Sequence, residues 1–418
     1  MSEVRQFLIW FAHEHNDFKL AEFEAIASLE NVSFKCVNAN SENPFILLDS
    51  TEDGVRKIAS RCVMVKFVVE VWSVADNYID FINQLINCNY RKLPQYCSKD
   101  KSYKINVETF GKKVPFHEQI RKIEKLEILD FKGSFDLRNP LNVFNLIEFY
   151  GLDANNIPNE PYLIFFGRWI CDGQRNLINE LTLKNRKFIS NTSMDPMMSL
   201  LMANIAKIKA EDFVIDPFVG SGSILVAAAK FGAFVLGADI DYLLMYGRSK
   251  PTRSGALIRE ADESIYFNLK QYNLQSQYID VLVADSSLPI WRETCKFDAI
   301  ITDPPYGIRE ASSKIGSEKK YKIPDHLCEG HVPAKIRYNF SDIMKDLLAF
   351  AALHLKVGGR LVFWIPFPKG SLNPIHYTDP SHPCLTLVSK CQQILSKNSS
   401  RILICMEKVK EPNRIGEE

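Results

Sequence analysis

The stretch "VIDPFVGSGSILVAAA", residues 214–229, decides how the second half of the chain is read. A short apolar run ends in Asp216, a turn containing Gly220 and Gly222 follows, and a pattern of small and apolar residues suited to a helix begins near Ser223. Glycine tolerates positive φ and lets a ligand approach the backbone closely, while the first turn of the following helix has N–H groups without intrahelical partners. This is the layout of a loop for a nucleotide-type cofactor. The dinucleotide fingerprint wants a third glycine three residues beyond the second, and Leu225 stands there.

Working outward, the next strand-like run, "AFVLGADID", closes on Asp239, about twenty residues further on, where an acid accepts hydrogen bonds from ribose hydroxyls. A third, "VLVADSS", closes on Asp285, placed to read the exocyclic amino group of an adenine. Phe218, Ile240 and Ser286, which follow these acids, complete the candidate cofactor set on this side. Acids at three successive strand ends, with no site for a pyrophosphate, suit S-adenosylmethionine, a zwitterion bearing a sulfonium. NAD suits them less well.

A fourth strand-like run opens "FDAIITDPPYGIRE", residues 297–310. Pro304 and Pro305 remove two donors and fix two φ angles, so the corner is stiff and rich in acceptors. An exocyclic amine on a nucleobase is a poor nucleophile because its lone pair is delocalised into the ring. Asp303 can accept one of its N–H bonds and the Pro304 carbonyl the other, favouring the pyramidal nitrogen that attacks a methyl group. Tyr306 can stack on the flat base and hold it in line. The chemistry expected of Asp303, Pro304, Pro305 and Tyr306 is positioning and electrostatics, with no covalent intermediate.

From Asp212 onward, apolar runs alternate with amphipathic helical patterns, through "SDIMKDLLAFAALHL" and "GGRLVFWIP" to a last strand at "SRILICMEKV". That alternation predicts a mostly parallel sheet with helices on both faces. Residues 1–185 have a different texture. "RQFLIWFA", "FILLD" and "VMVKFVVEVW" predict strands, "LAEFEAIASLE" and "EDGVRKIASR" predict helices, and no glycine-rich loop occurs, which is an α+β pattern. The segment 161–208 reads as a connector and the leading helix of the second domain, which gives domains of 1–185 and 186–418.

The 51 Lys and Arg residues against 50 Asp and Glu leave a net charge of +1, so any nucleic-acid surface must be local. Residues 91–132 hold eleven basic and six acidic side chains with Tyr96, Tyr103, Phe110 and Phe116 interspersed, either an RNA-facing surface or a solvated face. Arg168 and Arg186 likewise read either as RNA contacts or as partners of acids. The ten cysteines are scattered with no C-x-x-C, as in a protein of reducing compartments. The apolar run Phe7 to Ala12 is too short for a signal peptide, and no uninterrupted apolar stretch is long enough to span a bilayer, so a cytoplasmic protein without a membrane partner is expected. "DHLCEGH" gathers His326, Cys328 and His331 without a zinc spacing, and no metal site is expected. The basic loop around it, 309–340, suits a substrate-gripping role with Lys319, Lys320 and Lys322 on phosphates.

"DPFVGSG" with "DPPYG" resembles the class I S-adenosylmethionine-dependent amino-methyltransferases, and "GSFDLRNP", "FFGRWICDGQR", "LTLKNRKFISNTSMDPMMSLLMAN" and "GADID" are similar to the catalytic subunits of eukaryotic tRNA guanosine-10 N2-methyltransferases. The resemblance implies a ferredoxin-like and THUMP region gripping tRNA, followed by a Rossmann-like class I methyltransferase domain. The reaction it implies is methylation of the exocyclic N2 of a guanosine, with a small zinc-binding activator subunit as partner. It carries Asp216, Gly220 and Gly222 over as cofactor loop, Asp239 for ribose, Asp285 for adenine, and Asp195 and Pro196, in "TSMDP", as the segment closing over the methionine end. The catalytic motif alone leaves open methylation of adenine N6 in nucleic acid, because both amines make the same demands. A non-catalytic RNA-binding protein is the other alternative, and the intact set of acids and glycines argues against it.

Overall fold

Apolar runs from the two halves of the chain build two seven-stranded sheets. The computed structural model describes residues 3–38, 42–252, 256–307, 312–317, 324, 333–368, 379–397 and 399–413. Two compact units emerge, residues 1–19 with 27–175 and residues 20–26 with 176–418.

The first unit is built from β1 (Val4–Phe11), the two ends of α1 (Phe18–Leu29), whose residues 20–26 group with the second unit, β2 (Lys35–Asn38), β3 (Phe45–Thr51), α2 (Glu52–Ala59), β4 (Val65–Ala75), α3 (Tyr78–Tyr96), β5 (Tyr103–Phe110), α4 (Phe116–Glu124), β6 (Asn142–Phe149) and β7 (Leu163–Asp172). Local chemistry explains α2 well. Thr51 accepts the Gly54 N–H at 3.1 Å as the N-cap, and Glu52 and Asp53 complement the positive end of the helix. The sheet runs β2-β3-β1-β4-β7-β6-β5, with β5 parallel to β6.

One expectation is overturned here. Residues 163–172, read as part of a connector, form an inner strand between β4 and β6. Ile164, Phe165, Phe166 and Ile170 are fully buried, so "LIFFGRWI" is a strand covered on both faces rather than an exit from the domain.

The second unit comprises α5 (Asn176–Glu180), α6 (Pro196–Ile205), β8 (Phe213–Asp216), α7 (Ser223–Lys230), β9 (Phe234–Asp239), α8 (Tyr242–Met245), α9 (Ile265–Gln271), β10 (Tyr278–Val283), β11 (Phe297–Thr302), β12 (Ser313–Ile315), β13 (Lys335–Arg337), α10 (Phe340–His354), β14 (Leu355–Pro368), β15 (Leu385–Ser396) and β16 (Ser399–Lys408). Its sheet runs β10-β9-β8-β11-β14-β16-β15. The first five strands are mutually parallel, whereas β16 is antiparallel to both β14 and β15. The run "SRILICMEKV" is therefore an inner strand, and the edge beyond it is β15, which the sequence reading did not anticipate. Ile300, Leu361, Phe363 and Ile404 lie in a fully buried core under α10. Strand order reverses between β8 and β11, and ligands of open α/β sheets bind in the crevice at such a switch point. Among the described residues no helix is long and apolar enough to cross a membrane, and no cluster of metal-ligating side chains occurs.

Candidate active site

Asp216 closes β8 and Asp239 closes β9; Asp285 lies two residues past β10 and Asp303 one past β11, so neighbouring parallel strands deliver four acids to one edge of the sheet. Asp216 is buried. Its Oδ1 accepts the Thr302 hydroxyl at 2.6 Å and the Phe218 N–H at 3.0 Å. Burial pushes its carboxyl up to about 7, with the charges of Asp239 and Asp303 adding to the rise.

The glycine loop is pinned to β9 by Val219 N–H on the Ala238 carbonyl at 2.9 Å and by Gly220 N–H on Asp239 Oδ2 at 2.9 Å. Gly220 and Gly222 sit at φ +50° and +74°. A Cβ on Gly222 would lie 2.7 Å from Ile265, whereas one on Gly220 would meet nothing within 4 Å. The open face of the loop is thus at Gly220, where a ligand can approach the backbone. Beside it, Phe218, Ala238, Ala284, Ser286, Leu288 and Trp291 line an apolar slot of the kind a flat ring enters. Asp285 Oδ1 accepts from Ser287 N–H at 2.9 Å and Oδ2 from Ile315 N–H at 2.5 Å, and a carboxylate has further lone-pair sites for an amine. The ribbon formed by β12 and β13 is anchored here as well, because Lys335 Nζ donates to the Ile240 carbonyl at 3.1 Å. These residues fit an adenosine-containing cofactor.

"TSMDP" reaches the same loop. Ser193 Oγ lies 2.6 Å from Ser221 Oγ, Asp195 caps α6 by accepting the Met197 N–H at 2.8 Å, and Pro196 takes the first helical position. At the corner, the Tyr306 hydroxyl donates to Asp303 Oδ1, and burial together with the Asp303 charge raises the phenol well above its ordinary value, so it stays a donor. Ser312 Oγ donates to the Pro305 carbonyl at 3.0 Å, and Pro304 is buried.

Asp303 Oδ2 accepts from Arg401 Nη1 at 2.9 Å, a contact the sequence reading missed. Its one visible signal is an arginine directly before the apolar run "ILICM". Thr302 was missed too, hidden as the last residue of "DAIIT". Of the two arginines left open, Arg168 pairs with Glu70 and Glu52, and Arg186 is buried, donating to Ser223 Oγ at 3.0 Å and the Leu181 carbonyl at 2.8 Å. Lys319, Lys320, Lys322, His326, Cys328 and His331 lie outside the described residues.

Residues 5–175 match the family described as Tmrp11 THUMP N-terminal domain, and residues 184–322 match the RMKL-like methyltransferase domain. The tRNA (guanine(10)-N(2))-methyltransferase TRMT11 of Xenopus laevis is 44% identical over 412 residues, covering 97% of this chain and 85% of that protein. The chain belongs to the TRMT11 family. Its human relative is 44% identical over 98% of this chain and 89% of its own, and the relative from Dictyostelium discoideum is 33% identical over 98% and 83%. Among solved structures, TrmN from Thermus thermophilus aligns over 97% of this chain and 100% of its own with 15% identity and a TM-score of 0.46. In this TRMT11 family chain the second matched region lies within the second compact unit, and the first coincides with the first unit apart from residues 20–26.

Proposed function

We propose that this protein transfers a methyl group from S-adenosylmethionine to the exocyclic N2 of guanosine 10 in tRNA, acting as a catalytic subunit with a small zinc-binding activator in the cytoplasm. The observation that carries the reading is Asp303, presented on a stiff proline corner one strand away from the glycine loop, at the switch point of the sheet. The cofactor, when bound, supplies an electrophilic methyl on sulfonium. Gly220, Gly222, Asp239 and Asp285, with Phe218, Ile240 and Ser286, are the residues to hold it, and Asp195 and Pro196 flank the loop through the Ser193 contact. Asp303 and the Pro304 carbonyl accept the two N–H bonds of the guanine amine, and Tyr306 packs against the base. To reach Asp303 the amine displaces the Tyr306 hydroxyl, which frees the ring to turn toward the base. The region to about residue 185 grips the tRNA, and 186–418 performs the transfer.

Partnership with the activator has support in the sheet edge. A parallel strand is ordinarily covered on both faces, yet Ile279, Leu282 and Val283 of the edge strand β10 are 45%, 37% and 45% exposed. We assign this strand as the docking edge for the activator.

The test is transfer of labelled methyl from S-adenosylmethionine to unmodified tRNA, with and without the activator, followed by nucleoside analysis. N2-methylguanosine that requires Asp303 and disappears in Asp303→Ala is expected. Cofactor binding without any transfer to tRNA would overturn the substrate assignment.

A further inference from the structure

Arg401, the third residue of β16, reaches a carboxylate 98 residues earlier in the chain. Three groups fix it. Its Nη1 donates to Asp303 Oδ2 at 2.9 Å, its Nε donates to Gln393 Oε1 at 2.7 Å, and its guanidinium lies over Trp364, 3.9 Å from the ring centroid. Trp364 and Gln393 are buried, and the Trp364 indole N–H is directed at Met202 Sδ at 3.1 Å. The arginine side chain is itself only 14% exposed. A long side chain stacked on a buried indole and hydrogen-bonded on two of its nitrogens has lost most of its rotamer freedom, and its planar fork presents a fixed direction to the carboxylate.

Resting on the reading that Asp303 receives the guanine amine, we infer that Arg401 is a positioning residue of the methyl transfer, holding Asp303 as an oriented carboxylate for the substrate N–H. Among the described residues, the groups that bear on Asp303 include Tyr306 from the same corner, Arg401 from β16, and the buried Asp216 from β8. Asp216 is an acid, and acids at adjacent strand ends disfavour one another's charge. Arg401, paired with Asp303 at 2.9 Å, offsets this. It also divides the work between the two oxygens: Oδ2 stays on the guanidinium while Oδ1, held by the Tyr306 hydroxyl, is handed to the incoming amine. A lysine at 401 keeps the charge and loses the planar fork and most of the stacking.

The experiment compares wild type, Arg401→Ala and Arg401→Lys in the full chain with its activator, measuring kcat for N2-methylguanosine formation, cofactor affinity by calorimetry, and the pH profile. In Arg401→Ala, kcat falls about tenfold to a hundredfold, the size of loss when one preorganised electrostatic contact is removed. Cofactor affinity changes little, and the acid limb of the kcat profile moves to higher pH because a carboxylate without its cation protonates more readily. Guanidinium at millimolar concentration restores part of kcat where an equal concentration of sodium chloride does not, and Arg401→Lys lies between. Wild-type kcat in Arg401→Ala overturns the inference. So does a joint loss of kcat and cofactor affinity in both variants without guanidinium rescue, which would make Arg401 a brace for the sheet. If Arg401→Ala is insoluble, Arg401→Lys decides: reduced kcat at unchanged cofactor affinity upholds the role, and unchanged kcat ends it. Wild-type protein that forms no N2-methylguanosine overturns the functional reading, and this role with it.

Discussion

The Thr302 hydroxyl donates to the buried Asp216 carboxylate across 2.6 Å, tying the end of the strand that carries the proline corner to the end of the strand that carries the glycine loop. Two strands that meet at the switch point are thereby locked in register by side chains as well as by the ladder.

Because burial pushes the Asp216 carboxyl up to about 7, the folded state holds this proton more tightly than the unfolded chain, where an aspartate titrates near 3.9. Stability from this group is complete below about pH 4 and is lost as pH rises through about 7. Asp216→Asn keeps an acceptor for Thr302 and Phe218 and has no proton to lose. Melting temperatures of wild type relative to Asp216→Asn are therefore expected to fall steadily from pH 4 to pH 7.5. A constant difference over that range would show that Asp216 does not titrate there.

The two loop glycines respond differently to alanine. Gly222→Ala adds a methyl 2.7 Å from Ile265 at φ +74°, so both steric and backbone strain apply, and a loss of about 2–4 kcal/mol is expected. Gly220→Ala meets open space and carries only the left-handed backbone cost of about 1–2 kcal/mol. Its main effect is on the ligand side, where cofactor affinity should drop about tenfold or more. Denaturation and calorimetry on the two variants separate these outcomes.

In the first unit, Glu70 is buried and faces Arg168 at 3.0 Å and Arg5 at 3.5 Å, while Arg168 also reaches Glu52 and stacks over Tyr96. Removing the buried acid takes one counter-charge from each arginine, leaving Arg168 with Glu52 at 2.5 Å and Arg5 with Glu3 at 2.8 Å. Glu70→Ala is expected to cost about 2–3 kcal/mol, with Glu52 limiting the damage. The midpoint of urea unfolding reads this out, and a shift below half a kcal/mol would mean the network contributes little.

Leu282→Glu and Ile279→Lys place charges on the exposed edge of β10. Co-purification with the activator should be lost while the isolated subunit keeps its melting temperature. Retained complex in both variants would move the docking surface elsewhere.

The strand ends of the second half were legible because their information is local. A strand ending in an acid, a glycine turn and a helix start are contiguous in "VIDPFVGSGSILVAAA", and the same edge is reached wherever a parallel strand stops, so the four acids could be aligned without knowing the sheet order. Arg401 was not legible because its meaning depends on pairing across 98 residues. The register that sets Arg401 opposite Pro366 and Gln393 comes from β14 and β15, and β15 was itself missed. Its sequence, "LTLVSKCQQILS", mixes polar and apolar residues as an edge strand with much of its surface in water does. In the first half, "LIFFGRW" was misplaced because its apolar character is equally that of a linker helix and of a covered strand, and only its neighbours β4 and β6 decide between them.

The position of β16 also orders events during synthesis. It is the last described strand to leave the ribosome, yet it fills an inner slot between β14 and β15. A nascent chain that has already emitted the glycine loop and the proline corner still lacks the Arg401 contact to Asp303 until residue 401 emerges and inserts. Assembly of this corner therefore waits for residue 401, and a chain stopped before β16 carries the glycine loop and the proline corner but neither the inner strand nor the Arg401–Asp303 contact.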